Sequence, residues 1–309
     1  MQTILQTKNL TKKYGERHAL NNVSLTLKQN DIYGLVGRNG AGKTTFFKCV
    51  MGLAKATSGT IEINHNINHL NAARRQMGFL INPSFFPYLN AKENLEYLCR
   101  VKGVRDKNEP ERLLKLVGLD GVKKPFKTFS LGMKHRLGIA GALLGSPSMI
   151  VLDEPINGLD PQGIVDMRAA IKNIHAQSGA TFIISSHILS ELDLIATRFG
   201  FIEQGVLLTE ISHTDLHKHT KKSLISEVDD ISKAQAVLKS SLGITETEKT
   251  ADGKKLMIQS QSHFEKSNQI ARALIDGGVE LYELYRQETT LEEYFIQLTG
   301  EGGKNAKID

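Results

Sequence analysis

The sequence predicts an α/β fold built around a mainly parallel sheet, and three observations predict it. From Ile32 to about Phe201, short apolar runs alternate with segments of helical character, the pattern that builds parallel strands joined by crossover helices. One of those runs, Ile32–Val36, leads directly into Gly37-Arg38-Asn39-Gly40-Ala41-Gly42-Lys43-Thr44. This is the full G-x-x-x-x-G-K-[ST] phosphate-loop pattern, in the strand–loop–helix setting that the motif requires. Another run, Met149–Leu152, ends in the acidic pair Asp153-Glu154.

Before the sheet, Leu5–Leu10 and Val23–Leu27 read as strands of a flanking antiparallel layer, with Gly59–Ile63 a further member. Ile32–Val36 is a core strand, and a helix opens at Lys43. From Asn82 to Leu144 the pattern becomes helical, with candidates at Ala91–Val101, Glu109–Val117 and Ser130–Leu144, which predicts an inserted helical subdomain over about residues 82–145. The run Phe85-Phe86-Pro87-Tyr88-Leu89 at its start is either packing beneath that subdomain or a partner surface. Met149–Leu152 and Thr181–Ser185 continue the sheet, and a helix follows Pro161. After Ile211 the texture changes. Ser212–Ser223 is polar and rich in Lys and His, as a linker would be. Beyond it, strand-like Leu256–Ile258 and Val279–Tyr285 and helix-like Phe264–Ile275 and Leu291–Leu298 suggest a small α+β unit. The expected organisation is a nucleotide-binding domain over residues 1–212, then a linker and a small C-terminal accessory domain over 213–309.

Bulk composition narrows the function classes. With 40% hydrophobic and 23% charged residues in 309, the chain has the make-up of a folded globular protein rather than a disordered one. No apolar run approaches the ~20 residues needed to span a bilayer, so the chain does not form a pore. Its first residues lack the pattern of a secretory signal, which points to the cytoplasm. Cys49 and Cys99 stand far apart with no CxxC, and are expected to be packing thiols rather than metal ligands. The net charge of +6 is not gathered into a basic stripe, so no nucleic-acid partner is expected.

The phosphate loop carries specific chemistry. Its glycines let backbone N–H groups and the following helix start face a polyphosphate, Lys43 reaches the β- and γ-phosphates, and Thr44 holds Mg2+ through its hydroxyl. Thr45 is a further phosphate donor. Asp153 is expected to support the Mg2+ shell and Glu154 to act as general base on the attacking water. A strand ending in two acids is on its own more often a solvated strand end, and the phosphate loop tips that balance.

Phe129-Ser130-Leu131-Gly132-Met133-Lys134-His135-Arg136, shortly before the acidic pair, resembles the ABC signature L-S-G-G-Q in an S-L-G-M variant. Gly158-Leu159-Asp160-Pro161 resembles the D-loop, and Ser185-Ser186-His187 the H-loop. With the two phosphate-site motifs, five segments stand in family order. The chain is similar to ABC ATPases, and among them to those of bacitracin and lantibiotic exporters. The resemblance implies a P-loop NTPase fold with a mainly parallel core sheet, an antiparallel β subdomain, a helical subdomain and a small α+β C-terminal domain, using ATP and Mg2+. It also implies a head-to-tail homodimer in which Ser130, Leu131, Gly132 and Met133 of one copy face the ATP on the other, and Asp160 bridges the two sites. His187 would contact the γ-phosphate and Tyr14 would stack on adenine. The plain alternatives are a helix cap at Ser130, a hydrogen-bonded structural histidine at His187 and a strand-end tyrosine at Tyr14.

Two departures stand out: Met133 replaces the usual signature glutamine, and Asn82 takes the Q-loop glutamine's place. Asn82 either reaches Mg2+ or water, or serves as a hinge before Pro83. Leu291-Glu292-Glu293-Tyr294-Phe295 also resembles the short C-terminal domain of such exporters. The implied function is the ATPase of an exporter, peripheral on the inner face of the cell membrane with an integral permease, handling a peptide antibiotic for resistance or self-immunity. The alternatives are another drug, a lipid-like substrate, or a non-transport ABC regulatory ATPase.

Overall fold

The computed structural model describes residues 2–81, 83–219, 222–250 and 253–288. Asn82 and the expected helix Leu291–Leu298, with the tail behind it, lie outside the described residues. The chain divides into two compact units, one running to His213 and one starting at Thr214.

In chain order the first unit contains β1 (Thr3–Tyr14), β2 (Arg17–Lys28), β3 (Ile32–Val36), α1 (Lys43–Met51), β4 (Ser58–Ile63), α2 (Leu70–Arg74), β5 (Met77–Leu80), α3 (Ala91–Lys102), α4 (Glu109–Leu116), α5 (Leu131–Leu143), β6 (Met149–Asp153), α6 (Pro161–Ser178), β7 (Thr181–Ser186), α7 (Leu189–Asp193), β8 (Arg198–Glu203) and β9 (Val206–Ser212). β3, β6 and β7 are buried at every residue. Strands covered on both faces read as continuous apolar runs, which is why their sequences do not alternate. They form the middle of a sheet ordered β5-β6-β7-β3-β8-β9, parallel except for β9. β9 returns through Gln204 and Gly205, whose φ values of 48° and 80° suit the right-handed twist of a tight hairpin.

β2-β1-β4 make a second, antiparallel sheet. Its Val23, Leu25 and Leu27 share a core with Phe46 and Phe47 of α1. β1 and β2 are 12 residues each, longer than their local pattern predicts. Register shifts interrupt the pairing, and Asn9 and Asn22 take positive φ, so bulges break the alternation that reveals a strand.

In the helical subdomain, α3 starts with a capping box between Asn90 and Glu93. α5 lies against β5 with almost no space between backbones: a Cβ on Gly78 would fall 2.0 Å from the Ala142 carbonyl oxygen. Only glycine permits that approach.

The polar stretch Ser212–Ser223 is not a plain linker. It holds the end of β9, a helix α8 (His213–His219) and the start of β10 (Lys222–Val228). Leu216, fully buried, is an apolar anchor too sparse to show as periodicity. The rest of the second unit is α9 (Ile231–Leu242), β11 (Thr247–Lys249), β12 (Leu256–Ile258), α10 (Gln261–Phe264), α11 (Ser267–Asp276) and β13 (Leu281–Glu288). The helix expected over Phe264–Ile275 is thus two, broken at Glu265-Lys266. The sheet order β11-β12-β10-β13 is antiparallel throughout, a split β-α-β arrangement around Leu224, Leu238, Leu256, Ile258 and Leu274.

Candidate active site

Parallel pairing brings the carboxyl ends of β3, β6 and β7 to one edge, where open α/β sheets place their ligand sites. Val36 stands opposite Ser186, and Asp153 opposite Ser185. The phosphate loop, the acidic pair and His187 therefore converge, although each follows a different strand.

Lys43 opens α1 and is only 5% exposed. Its Nζ donates to the carbonyls of Gly37 at 2.6 Å and Arg38 at 3.1 Å, and lies 3.1 Å from Glu154 Oε1. Thr44 Oγ1 donates to Asp153 Oδ2 at 2.7 Å. Ser185 Oγ donates to Asp153 Oδ1 at 2.6 Å and accepts from the Glu154 backbone N–H at 2.8 Å. His187 Nδ1 is 2.8 Å from Glu154 Oε2. Adjacent carboxylates thus have different surroundings: Asp153 accepts from two hydroxyls, while Glu154 faces a cation and an imidazole. Glu154 also takes φ of 50°, a left-handed conformation that costs about 1–2 kcal/mol for a residue with a Cβ. The Ser185 bond to its N–H helps hold it there.

The phosphate loop itself turns on Gly42, at φ 111°, where a Cβ would lie 2.7 Å from the Ala19 carbonyl oxygen. Among the described residues no side chain caps α1, and no acid sits in its first turn. The helix start is therefore left to an anion.

A cleft of about 800 Å³ covers this region, lined by Tyr14, by Asn39 through Thr45 of the loop, and by Glu154. Tyr14 stands at its rim, half-exposed, with the Lys12 ammonium 4.7 Å from its ring centre. Arg17, His18 and Ala19 of β2 and Glu203, Gln204 and Gly205 complete the wall. Sequence reasoning missed these six. Their only local signal is the Gln204-Gly205 turn, and its place comes from long-range bonds: Gly205 N–H donates to the Ala41 carbonyl at 2.8 Å, and Asn21 N–H to the Gly205 carbonyl at 2.8 Å. Ser185 was noted only as part of a motif, and its two bonds were equally invisible.

The signature segment lies elsewhere. Ser130 caps α5, accepting from the Met133 N–H at 3.3 Å. A Cβ on Gly158 would meet Leu131 Cδ2 at 3.2 Å, and one on Gly132 would meet Leu159 Cδ2 at 3.8 Å, so the signature turn sits beside the expected D-loop. Asp160 caps α6, accepting from the Gly163 N–H at 3.1 Å. Among the described residues lining the cleft, none comes from Ser130, Leu131, Gly132 or Met133. Asn82 lies outside the described residues.

The sequence model of the ABC transporter family matches residues 20–157. Over 306 residues the chain is 40% identical to the bacitracin transport ATP-binding protein BcrA of Bacillus licheniformis, covering 98% of this chain and 99% of that one. The chain belongs to the ABC transporter family. It is an ATP-binding, ATP-hydrolysing subunit of the ABC class, as expected from its motifs. The lantibiotic transport ATP-binding protein SrtF of Streptococcus pyogenes is 42% identical over 209 residues, 67% of this chain and 90% of that protein. Among solved structures, a dimeric ATP-binding cassette in a post-hydrolysis state bound to ADP and Pi superposes with a TM-score of 0.61 at 26% identity, covering 68% of this ABC chain and 99% of the cassette. No helix among the described residues is long and apolar enough to cross a membrane.

Proposed function

We propose that this ABC ATPase powers export of a peptide antibiotic, with two copies closing on two ATP molecules beneath a membrane permease. One observation carries the mechanism: the cleft gathers Lys43, Thr44 and Glu154, with Asp153 joined through Thr44 and His187 through Glu154, while the signature of the same chain stays outside it. A second copy placed head to tail would bring Ser130 and the start of α5 to the γ-phosphate, where a helix start favours negative charge. The substrate class rests on the relatives, named for transport of bacitracin and of a lantibiotic. Resistance or self-immunity is the role that follows.

Within the cleft, the loop N–H groups and Lys43 bind the phosphates, and Tyr14 stacks on the base. Glu154 accepts the proton of the attacking water at a carboxylate oxygen, and His187, 2.8 Å away, orients that carboxylate. Thr44 Oγ1 and Asp153 Oδ2 are hard oxygen donors 2.7 Å apart, a set that fits Mg2+. When bound, that ion neutralises charge on the β- and γ-phosphates. Phe86, Tyr88 and Tyr97 suit the permease contact: they are exposed, and the Phe86 ring meets Tyr97 edge-on at 4.7 Å. That partner would hold the chain at the inner face of the membrane.

Glu154→Gln tests the reading. The amide cannot take the water's proton, so turnover should fall by at least about a hundredfold, the scale of general base catalysis, with nucleotide affinity kept. Gel filtration should then show a dimer that forms only with ATP. Hydrolysis near the wild-type rate would overturn the assignment.

A further inference from the structure

We infer that the ion pair between Arg168 and Glu191 is the positioning device that holds His187 against Glu154. The inference rests on the reading that Glu154 is the base and His187 acts with it. His187 lies on the stretch between β7 and α7, and α7 has only five residues with no side-chain cap at Ile188. A helix this short is not stable alone, so its position comes from outside contacts. Leu189 and Leu192 bury one face of it. Apolar burial is non-directional, however, and does not fix where along its groove a short helix stops.

Arg168 supplies a charged contact near the middle of α7, in addition to the approach of His213 Nε2 to the Asp193 carbonyl at its end, 3.1 Å away. It projects from the middle of α6, an 18-residue helix, and its Nη1 lies 3.0 Å from Glu191 Oε2. The pair is about one-fifth to one-quarter exposed on each side, at 21% and 24%. Desolvation offsets much of the Coulombic gain of such a pair, so it adds little net stability, and fixing geometry is its better-attested use. Its location matches that use. Arg168 and Glu191 share one small enclosed space with Pro155, the residue after Glu154, and Ser186, the residue before His187. A slip of α7 would disturb the space lined by the chain neighbours of both partners of the 2.8 Å contact. Misplacement of a catalytic group by about 1 Å can cost on the order of a hundredfold in rate.

Steady-state ATP hydrolysis by the full chain separates this from a merely structural role. Arg168→Gln should lower kcat about tenfold, a barrier change of about 1.4 kcal/mol, while KM for ATP and the melting temperature hold. Glu191→Gln, which removes the charge at constant shape, should give the same loss, and Arg168→Lys should recover most of it. In a His187→Ala background, Arg168→Gln should have no further effect, since the group it positions is gone. An unchanged kcat in Arg168→Gln and Glu191→Gln, or an equal loss with and without His187, overturns the inference. If His187→Ala alone keeps the wild-type kcat, the assignment of His187 has failed, and the inference with it.

Discussion

Glu154 and Gly42 occupy the same left-handed region of backbone space for different reasons. At Gly42 a side chain has no room beside the Ala19 carbonyl, so Gly42→Ala should displace β2 or the loop and abolish ATP binding, as a fluorescent nucleotide titration would register. At Glu154 the side chain is indispensable to the proposed chemistry, and the strain is tolerated because Ser185, Lys43 and His187 all hold the residue. His135, in the second turn of α5, shows a different cost. It is buried, and among the described residues its Nδ1 lacks a hydrogen-bond partner. Burial pushes its imidazole below the ordinary histidine range, with the Pro155 carbonyl pulling weakly the other way. The unfolded chain therefore takes up this proton at a higher pH than the folded one. Its stability contribution is complete above the ordinary histidine value and declines as pH falls below it, until the folded value is reached. Calorimetric melting temperatures should drop on acidification through that range, and His135→Gln should make the drop shallower.

At the scale of elements, two residues singled out for a role across a dimer interface already have a role at home. Ser130 caps α5 and Asp160 caps α6. Loss of such a cap costs about 1 kcal/mol, so Asp160→Ala should lower the unfolding free energy obtained from urea titration by that much. Asp160→Asn keeps a capping oxygen and separates the two roles. If stability is retained while turnover by the ATP-bound dimer falls, the carboxylate acts beyond its own helix, and if both are retained, Asp160 is a cap alone. Elements also differ in how plainly they announce themselves. β3, β6 and β7 were readable because a strand buried on both faces is a dense local signal. β1 and β2 were under-read because bulges break their period, α8 and α9 escaped because their buried residues are few and scattered, and β10 escaped because two of its buried residues, Ser223 and Ser226, are polar and interrupt the apolar run.

For the whole molecule, exposed aromatic surface and catalytic cleft belong to one chain but face different tasks. Phe86 lies outside the nucleotide cleft, so Phe86→Ser should leave the melting temperature and soluble ATP hydrolysis unchanged while abolishing transport in vesicles that contain the permease. Loss of folding in that variant would show instead that its contact with Tyr97 is structural. By itself the sequence determined the α/β class, the phosphate loop, the acidic pair and the order of motifs, because each is written in a few consecutive residues whose chemistry is local. The tertiary structure alone decided which of these meet. Ser185 reaches Asp153 only because β6 and β7 are neighbours in register, Gly205 reaches Ala41 only because β9 folds back beside β8, and Arg168 reaches Glu191 across two helices. Such contacts depend on strand order and helix docking, which arise from burial summed over the whole core and leave no spacing rule along the chain.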